Sequence, residues 1–168
     1  MERVLKNLQD TKEFAKEFLQ MIKNSPERRN VVLLQGELGV GKTTFSQFLL
    51  EEIGAEGPFT SPTFVIMKKY KIKDNSNDLP VEDEKQGLSR QLVNFSPRNI
   101  YHLDCYRVGN ESILDLGWEE IIADKRNLIL VEWPEKISQI WPEKYWLLKF
   151  KYGKIDKANE RIIKIIEK

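Results

Sequence analysis

The sequence predicts an α/β fold built on a mixed parallel and antiparallel central sheet with flanking helices. Two short, continuous apolar runs, at 31–34 and 128–131, are typical of strands that are buried on both faces. Two stretches with apolar residues at helical spacing, 10–23 and 42–53, predict amphipathic helices that cover such a sheet. The last segments of the chain alternate at period two around a polar turn, which adds an antiparallel pair.

The first half of the chain predicts, in order, a helix, a strand, a glycine-rich turn and a second helix. Asp10 and Glu13 match a capping pair at the start of the 10–23 helix. Val31 to Gln35 predicts the first buried strand. Gly54 is the residue at which the 42–53 helix is expected to end, because glycine adopts the left-handed conformation of a helix C-terminus.

In the second half, a polar segment interrupts the regular elements. Residues 74–98 are polar and unpatterned, so we expect a surface insertion within a single domain spanning 1–168 rather than a linker between two domains. Before it, a loop at 60–63 is expected to lead into a strand at 64–72. After it, we expect a strand at 99–106, a helix at 111–123 that breaks at Gly117, a strand at 128–131, and a hairpin of 145–152 with 161–166 at the sheet edge.

The composition excludes several classes of protein. The 168 residues include 27 Lys and Arg against 26 Asp and Glu, a net charge of +1 that lacks the basic excess of a free-standing nucleic-acid binder. The one cysteine cannot form an intramolecular disulfide, which fits a reducing compartment. No apolar run approaches the roughly 20 residues of a membrane span, and residues 1–6 lack the apolar core of a secretion signal. We therefore expect a cytoplasmic protein without a membrane or DNA partner.

Residues 36–43 (GELGVGKT) match the phosphate-binding loop pattern without a gap. Glycines let successive backbone N–H groups converge on phosphate oxygens, and the following helix directs its positive end at the same anion. In such a loop Lys42 can reach the β- and γ-phosphates, and the Thr43 hydroxyl can ligate Mg²⁺. Because a buried strand precedes the loop and an amphipathic helix follows it, the P-loop nucleotide-hydrolase fold is favoured over a glycine turn with an incidental lysine.

Two acidic residues are candidates for the metal and for the attacking water. Glu132 ends the apolar run 128–131, and Asp104 ends a predicted strand at 99–106. In an open α/β sheet both strand ends can face the phosphate loop. Two carboxylates allow one to hold the metal and the other to orient water, although either could instead be a salt-bridged surface acid.

Other residues near these motifs have both functional and structural interpretations. Ser61 and Thr63 follow the loop helix, where a hydroxyl can sense a γ-phosphate or its metal, or simply cap a turn. Arg107 is a candidate phosphate or partner contact, with a plain salt bridge as the alternative. Trp133 is either a core residue or a neighbour of the site. A zinc site at His102 and Cys105 is disfavoured, since no second ligand pair exists.

Four motifs in this order resemble one family closely. They are 36–44 (GELGVGKTT), 61–64 (SPTF), 101–107 (YHLDCYR) and 131–135 (VEWPE). The phosphate loop alone is shared by many families, whereas the third and fourth motifs together are close to diagnostic. The sequence resembles the bacterial tRNA threonylcarbamoyladenosine biosynthesis ATPases, TsaE (YjeE), over nearly the whole chain.

The resemblance implies a Mg²⁺-dependent P-loop ATPase, of low activity without partners. It would support turnover of the TsaB–TsaD complex, which forms threonylcarbamoyladenosine at position 37 of tRNAs that decode ANN codons. It also implies contact with tRNA only through that complex. The implied catalytic residues are Lys42, Asp104 and Glu132, the metal ligands are Thr43 and Glu132, and the switch residues are Ser61 and Thr63. The implied ATP contacts are Glu37, Leu38, Gly39, Val40, Gly41, Lys42, Thr43, Thr44, Thr11 and Trp133, with adenine near 8–11 and the last hairpin.

Two other functions use the same loop. A small P-loop kinase would need a metabolite pocket and an arginine-bearing lid, for which Arg90 and Arg98 are candidates, but no acceptor motif is evident. A nucleotide-dependent binding module would bind ATP with incidental hydrolysis. Phosphate release without an acceptor, increased by partner proteins, separates the ATPase from both.

Overall fold

The computed structural model describes residues 1–25, 30–72, 97–154 and 159–168, and these residues form one seven-stranded sheet. The spatial order is β1-β7-β6-β2-β5-β4-β3. The four central strands, β6, β2, β5 and β4, run parallel, whereas β1, β7 and β3 pair antiparallel. The prediction of a mixed sheet is therefore confirmed. The strands are β1 (Glu2–Leu5), β2 (Val31–Gln35), β3 (Met67–Tyr70), β4 (Asn99–Asp104), β5 (Asn127–Glu132), β6 (Trp146–Tyr152) and β7 (Arg161–Glu167).

Within the described ranges, four α-helices cover the sheet in two layers. The larger apolar cluster lies on the face covered by α1 and α2, and a second cluster lies on the opposite face under α3, α4 and the 3₁₀ segment Pro134–Ile140. The predicted break at Gly117 is confirmed, since Gly117 takes a positive φ of 80° and separates α3 from α4. The helices are α1 (Leu8–Asn24), α2 (Lys42–Ile53), α3 (Asn110–Leu114) and α4 (Trp118–Ala123).

The central strands place two acidic residues side by side. Every residue of β5 is buried, and so are the first four of β2, as their continuous apolar runs predicted. β4 and β5 pair in parallel with Asp104 opposite Glu132. Since β2 runs in the same direction, its carboxyl end and the loop that follows it lie at the same edge of the sheet.

The start of α1 differs from the prediction of an Asp10–Glu13 capping pair. The N-cap is Asn7, whose side chain accepts the Asp10 backbone N–H at 2.9 Å. The Asp10 carboxylate accepts the backbone N–H of Lys6 at 2.7 Å. The capping motif is thus real but lies three residues earlier, because asparagine is as good an N-cap as aspartate.

Three predictions for the strands need correction, and one strand was not predicted. The expected strand at 99–106 ends at Asp104, because a turn follows at 106–107. The expected strand at 64–72 is only Met67–Tyr70, because residues 63–65 form a turn and Ile66 has a positive φ of 64°. The last hairpin is antiparallel as predicted, but it is not the sheet edge, since β1 pairs with β7 on its outer side. β1 escaped the sequence analysis because three of its four residues are exposed.

The predicted insertion lies almost wholly beyond the described part of the chain. Residues 74–96 are outside it, and Pro97 and Arg98 lead directly into β4. None of the helices in the described ranges is both long and apolar enough to cross a membrane.

Candidate nucleotide-binding site

The phosphate-loop motif connects β2 to α2 and folds in the manner that its glycines predict. Gly36 has a φ of 153°, and a Cβ there would lie 2.6 Å from the Phe150 carbonyl oxygen. Gly41 is the N-cap of α2 with a φ of 106°. Only glycine adopts these conformations at low cost, so both positions require it. The loop thereby brings the first turn of α2, with its unpaired N–H groups, to the carboxyl edge of the sheet.

Lys42 is held inside this loop. It is only 4% exposed, and its Nζ donates hydrogen bonds to the carbonyl oxygens of Gly36 and Glu37 at 2.7 and 3.0 Å. The ring of Trp133 covers the ammonium at 3.7 Å from the ring centroid, a cation–π contact. Burial lowers the Lys42 pKa, and the nearby carboxylates of Glu132, Glu135 and Asp104 oppose that shift. The structure therefore places a desolvated ammonium where an anion would be strongly attracted.

Glu132 joins the loop to the sheet. Its Oε2 accepts a hydrogen bond from the Thr43 hydroxyl at 2.7 Å, and its Oε1 lies 2.8 Å from His102 Nε2. Glu132 is 2% exposed, so it is not a surface acid. The structure thus brings the two predicted metal ligands, Thr43 and Glu132, into direct contact.

Asp104 lies beside Glu132 and contacts the switch segment. Its Oδ2 accepts the Thr63 hydroxyl at 2.5 Å, and its Oδ1 accepts the backbone N–H of Tyr106 at 3.0 Å. The hydroxyls of Ser61 and Thr63 are 2.6 Å apart. The predicted switch residues therefore connect to the site through Asp104, and they lie in a loop before the strand, as predicted.

The oxygen donors at this edge fit Mg²⁺. Thr43 and Glu132 supply a hydroxyl and a carboxylate that already touch, and Asp104 adds a second carboxylate on the neighbouring strand. Mg²⁺ is commonly held by one or two carboxylates together with substrate phosphates, not by a cage of protein ligands. The described ranges contain no group of three or more His, Cys, Asp or Glu side chains arranged to hold a metal.

A cavity of about 660 Å³ opens beside the phosphate loop. It is lined on one side by the N-terminal segment and the start of α1, on another by the loop and α2, and on a third by the final hairpin. Its size falls in the range of small-molecule and cofactor sites. The lining residues are Leu5, Lys6, Asn7, Leu8, Gln9, Thr11, Gly39, Val40, Gly41, Thr44, Phe150, Asn159 and Arg161.

A protein-family model matches residues 5–83 and 86–163, and its description is "Threonylcarbamoyl adenosine biosynthesis protein TsaE". The chain belongs to the TsaE family. The match omits only residues 84 and 85 between its two parts, and it includes the phosphate loop, the switch segment and both acidic strand ends.

Relatives from different bacteria carry the same family name. The tRNA threonylcarbamoyladenosine biosynthesis protein TsaE of Rickettsia typhi is 36% identical over 81% of this chain and 76% of that protein. The protein of that name from Bacillus subtilis is 34% identical over 68% of this chain and 56% of that protein. The crystal structure of Bacillus subtilis YdiB superposes with a TM-score of 0.63 at 26% identity, covering 97% of this chain and 82% of that one.

The other residues that were predicted for the site of this TsaE chain differ in how close they lie to the phosphate loop and the cavity. Trp133, with a left-handed φ of 57°, is half-buried between Lys42 and Tyr106, so it borders the site. Thr11 and Thr44 line the cavity. Arg107 is exposed and stacks on the Phe64 ring, with 5.5 Å from its guanidinium carbon to the ring centroid. It makes no described contact with the loop and is therefore more remote than a phosphate-binding arginine would be.

Two site residues escaped the sequence analysis in their actual roles. His102 was considered only as a metal ligand, yet it contacts Glu132; its position two residues before Asp104 on the same strand was the available signal. Tyr152 donates its hydroxyl hydrogen to the Leu38 carbonyl at 2.7 Å and so ties the last hairpin to the phosphate loop. No local pattern links those two residues, which are 114 positions apart.

Cys105 takes no part in this chemistry. It is buried beneath the opposite face of the sheet, and burial raises the pKa of its thiol to about 12. A thiolate is therefore scarce at neutral pH, which disfavours a nucleophilic role.

Proposed function

We propose that this protein is a Mg²⁺-dependent ATPase that supports the formation of threonylcarbamoyladenosine in tRNA. The observation that carries the proposal is the Thr43–Glu132 hydrogen bond beside the buried ammonium of Lys42. It joins a phosphate loop to an acidic strand end, the two parts that P-loop hydrolases use for phosphate and metal. Family membership and the names of the relatives support the tRNA role.

In this mechanism, ATP lies with its phosphates on the loop and its base in the adjoining cavity. Lys42 and the N–H groups at the start of α2 bind the β- and γ-phosphates and stabilise the charge that develops on them. Thr43 and Glu132 would hold Mg²⁺, which would supply positive charge to offset that of the phosphates. Trp133 shields the ammonium from water on its other side.

The two carboxylates have different surroundings, and this favours different roles. Glu132 is bonded to a loop hydroxyl, so it is the better placed of the two to hold the metal. Both oxygens of Asp104 are engaged, one by the switch hydroxyl of Thr63 and one by a backbone N–H. Asp104 can therefore couple the switch to the site and orient the attacking water near the γ-phosphate.

We further propose that the ATPase acts on the TsaB–TsaD complex, which modifies position 37 of tRNAs that decode ANN codons. The protein would contact tRNA through that complex, since its charge is nearly balanced at +1. Low turnover of the isolated protein is expected, because an arginine supplied by a partner can contribute about 10³–10⁵ to the rate in related nucleotide hydrolases.

Reconstitution of tRNA modification tests this function. Purified TsaB, TsaD and the threonylcarbamoyl-adenylate synthase are incubated with tRNA, threonine, bicarbonate and ATP, with and without this protein. We expect multiple turnovers of modified tRNA only when it is present, together with release of inorganic phosphate. Unchanged yield without the protein would refute the tRNA role, and transfer of phosphate to a metabolite instead of water would establish a kinase.

A further inference from the structure

The feature that the mechanism has not used is a buried contact between His102 and Glu132. Both side chains are almost inaccessible, at 1% and 2% exposure. They project from adjacent parallel strands, β4 and β5, and His102 lies opposite Leu130, two residues before Glu132. Because residues two apart on a strand share a face, His102 reaches diagonally to the carboxylate on the side of the sheet that α2 covers.

The two oxygens of Glu132 have separate partners. Oε2 meets the Thr43 hydroxyl, and Oε1 meets His102 Nε2. An ionised carboxylate only accepts hydrogen bonds, so the ring must donate from Nε2. The other ring nitrogen, Nδ1, is buried without a partner among the described residues. The contact therefore runs from Nε2 to Oε1, and Nδ1 takes no part in it.

Without a hydrogen-bond donor on Oε1, the buried Glu132 carboxylate could adopt other orientations. The terminal torsion of a glutamate is broad, so one hydrogen bond from Thr43 does not determine the orientation of the group. The ammonium of Lys42 is close enough to attract Glu132 electrostatically. A hydrogen-bond donor on Oε1 opposes rotation of the Glu132 carboxylate towards Lys42 and keeps Oε2 directed at the loop.

We infer that His102 is a positioning residue, which holds the Glu132 carboxylate so that its Oε2 and the Thr43 hydroxyl form a ready pair of Mg²⁺ ligands. The inference rests on the proposed function, because it takes Glu132 as a metal ligand. Partners of this kind behind a ligand commonly change metal affinity by roughly 10–100-fold when they are removed.

The test uses substitutions of His102 that place an N–H donor at different distances from Glu132 Oε1. His102→Gln keeps an N–H donor at about the distance of Nε2, whereas His102→Asn has the same amide on a shorter side chain. His102→Leu removes the donor at similar volume. Asn127→Leu is the matched control, since Asn127 is a buried, hydrogen-bonded side chain at the opposite end of β5.

The measurements separate metal binding from nucleotide binding. Mn²⁺ affinity in the presence of ADP is measured by electron paramagnetic resonance, and ADP affinity by calorimetry in EDTA. We expect His102→Asn and His102→Leu to weaken Mn²⁺ binding about 10–100-fold. His102→Gln and Asn127→Leu should stay within about threefold of the parent protein, and metal-free ADP binding should change less than about twofold in every variant.

Several results would overturn the inference. Equal Mn²⁺ affinity in the Gln and Asn variants would show that the position of the N–H donor does not affect metal binding. This comparison is valid even if the Leu variant fails to fold. Weakened metal-free ADP binding in step with Mn²⁺ would indicate general damage. If the parent protein binds Mn²⁺ with ADP but hydrolyses no ATP, the proposed function fails while the role of His102 is still decided. If it binds no Mn²⁺ with ADP, both fail.

Discussion

The nucleotide site has two halves that are built differently. The phosphate half consists of Lys42, Thr43, Asp104 and Glu132, with His102 behind them. All but Thr43 are buried, and each of these side chains makes at least one hydrogen bond within the site. The cavity half is formed by the N-terminal segment 5–11 and the final hairpin. It is open to solvent, and Leu8 at its rim is 66% exposed.

The contrast follows from the chemistry that each half has to perform. In the proposed function, stabilising charge on a reacting phosphate requires donors and ligands in fixed positions, and the phosphate half is correspondingly buried and hydrogen-bonded. Binding a base requires mainly shape and apolar contact, which an open cavity can provide. We therefore expect substitutions in the phosphate half to alter catalysis and metal use, and those in the cavity half to alter nucleotide affinity alone.

The largest effect is expected for Lys42→Ala. Loss of the ammonium removes a preorganised donor to the phosphates, so ATP turnover should fall on the order of 10²-fold or more. Phosphate release measured at saturating ATP checks this, with Lys164→Ala as the control because Lys164 is exposed on β7. Near-normal turnover of the Lys42 variant would mean that this loop does not hold the reacting phosphates.

The second-largest effect is expected for Glu132→Gln, which should change the Mg²⁺ dependence of ATP turnover. The amide keeps the volume of the side chain but is a poor Mg²⁺ ligand, so the half-saturating Mg²⁺ concentration should rise by about 10–100-fold. A Mg²⁺ titration at saturating ATP provides the measurement, and Glu119→Gln is the control, because Glu119 is an exposed acid on α4. An unchanged Mg²⁺ dependence would remove Glu132 from the metal site.

A variant of the cavity half should behave in the opposite way. Leu8→Ala removes apolar surface from the cavity rim, at a cost of about 1 kcal/mol, so ATP affinity should weaken about fivefold. The Mg²⁺ dependence should not move. Val4→Ala is the matched control, since Val4 is similarly exposed on β1 but does not line the cavity. A change in Mg²⁺ dependence would mean that the two halves are not independent.

Tyr152→Phe tests the connection between the halves. The substitution deletes one partly exposed hydrogen bond to the Leu38 carbonyl, so nucleotide affinity should weaken about two- to threefold with turnover at saturation unchanged. Calorimetric titration with ADP measures the effect. Tyr145→Phe, just before the other end of β6, should have none. Identical affinities for the two variants would show that the hairpin does not support the loop.

The effect with least bearing on either half concerns stability at high pH, and at neutral pH it is absent. Burial raises the Cys105 pKa to about 12 from an ordinary value of 9.0, so the unfolded chain loses this proton first as pH rises. The contribution of the buried thiol to the free energy of unfolding is complete below pH 9. It is lost between pH 9 and about 12, by about 1.4 kcal/mol per pH unit. Urea unfolding of the parent and of Cys105→Ala should give a steeper pH slope for the parent. Equal slopes would place Cys105 in a wetter environment.

The two halves also differ in how far the sequence predicts them. Short motifs predict the phosphate half because each part is local: glycines 36 and 41 shape the loop, and two apolar runs end in acids that a parallel sheet brings together. The role of His102 required the register of β4 against β5. Neighbouring strands are separated by tens of residues, and no motif specifies which of their side chains will meet.

The cavity half was predicted only as a region. Its formation depends on β1, whose residues are mostly exposed and carry no burial pattern, and on pairing between β1 and β7 at opposite ends of the chain. The N-cap at Asn7, which determines where the cavity-lining segment turns into α1, depends equally on a choice between two suitable residues, Asn7 and Asp10.

The pairing of β1 with β7 has a consequence for synthesis of the protein on the ribosome. The two strands are joined across an interval of more than 150 residues, as in the contact of Met1 with Ile165, which are 164 positions apart. During synthesis from the N-terminus, the phosphate loop leaves the ribosome more than 100 residues before the cavity wall formed by Phe150, Asn159 and Arg161. Nucleotide affinity should therefore arise only after the hairpin of β6 and β7 has been made and has paired with β1.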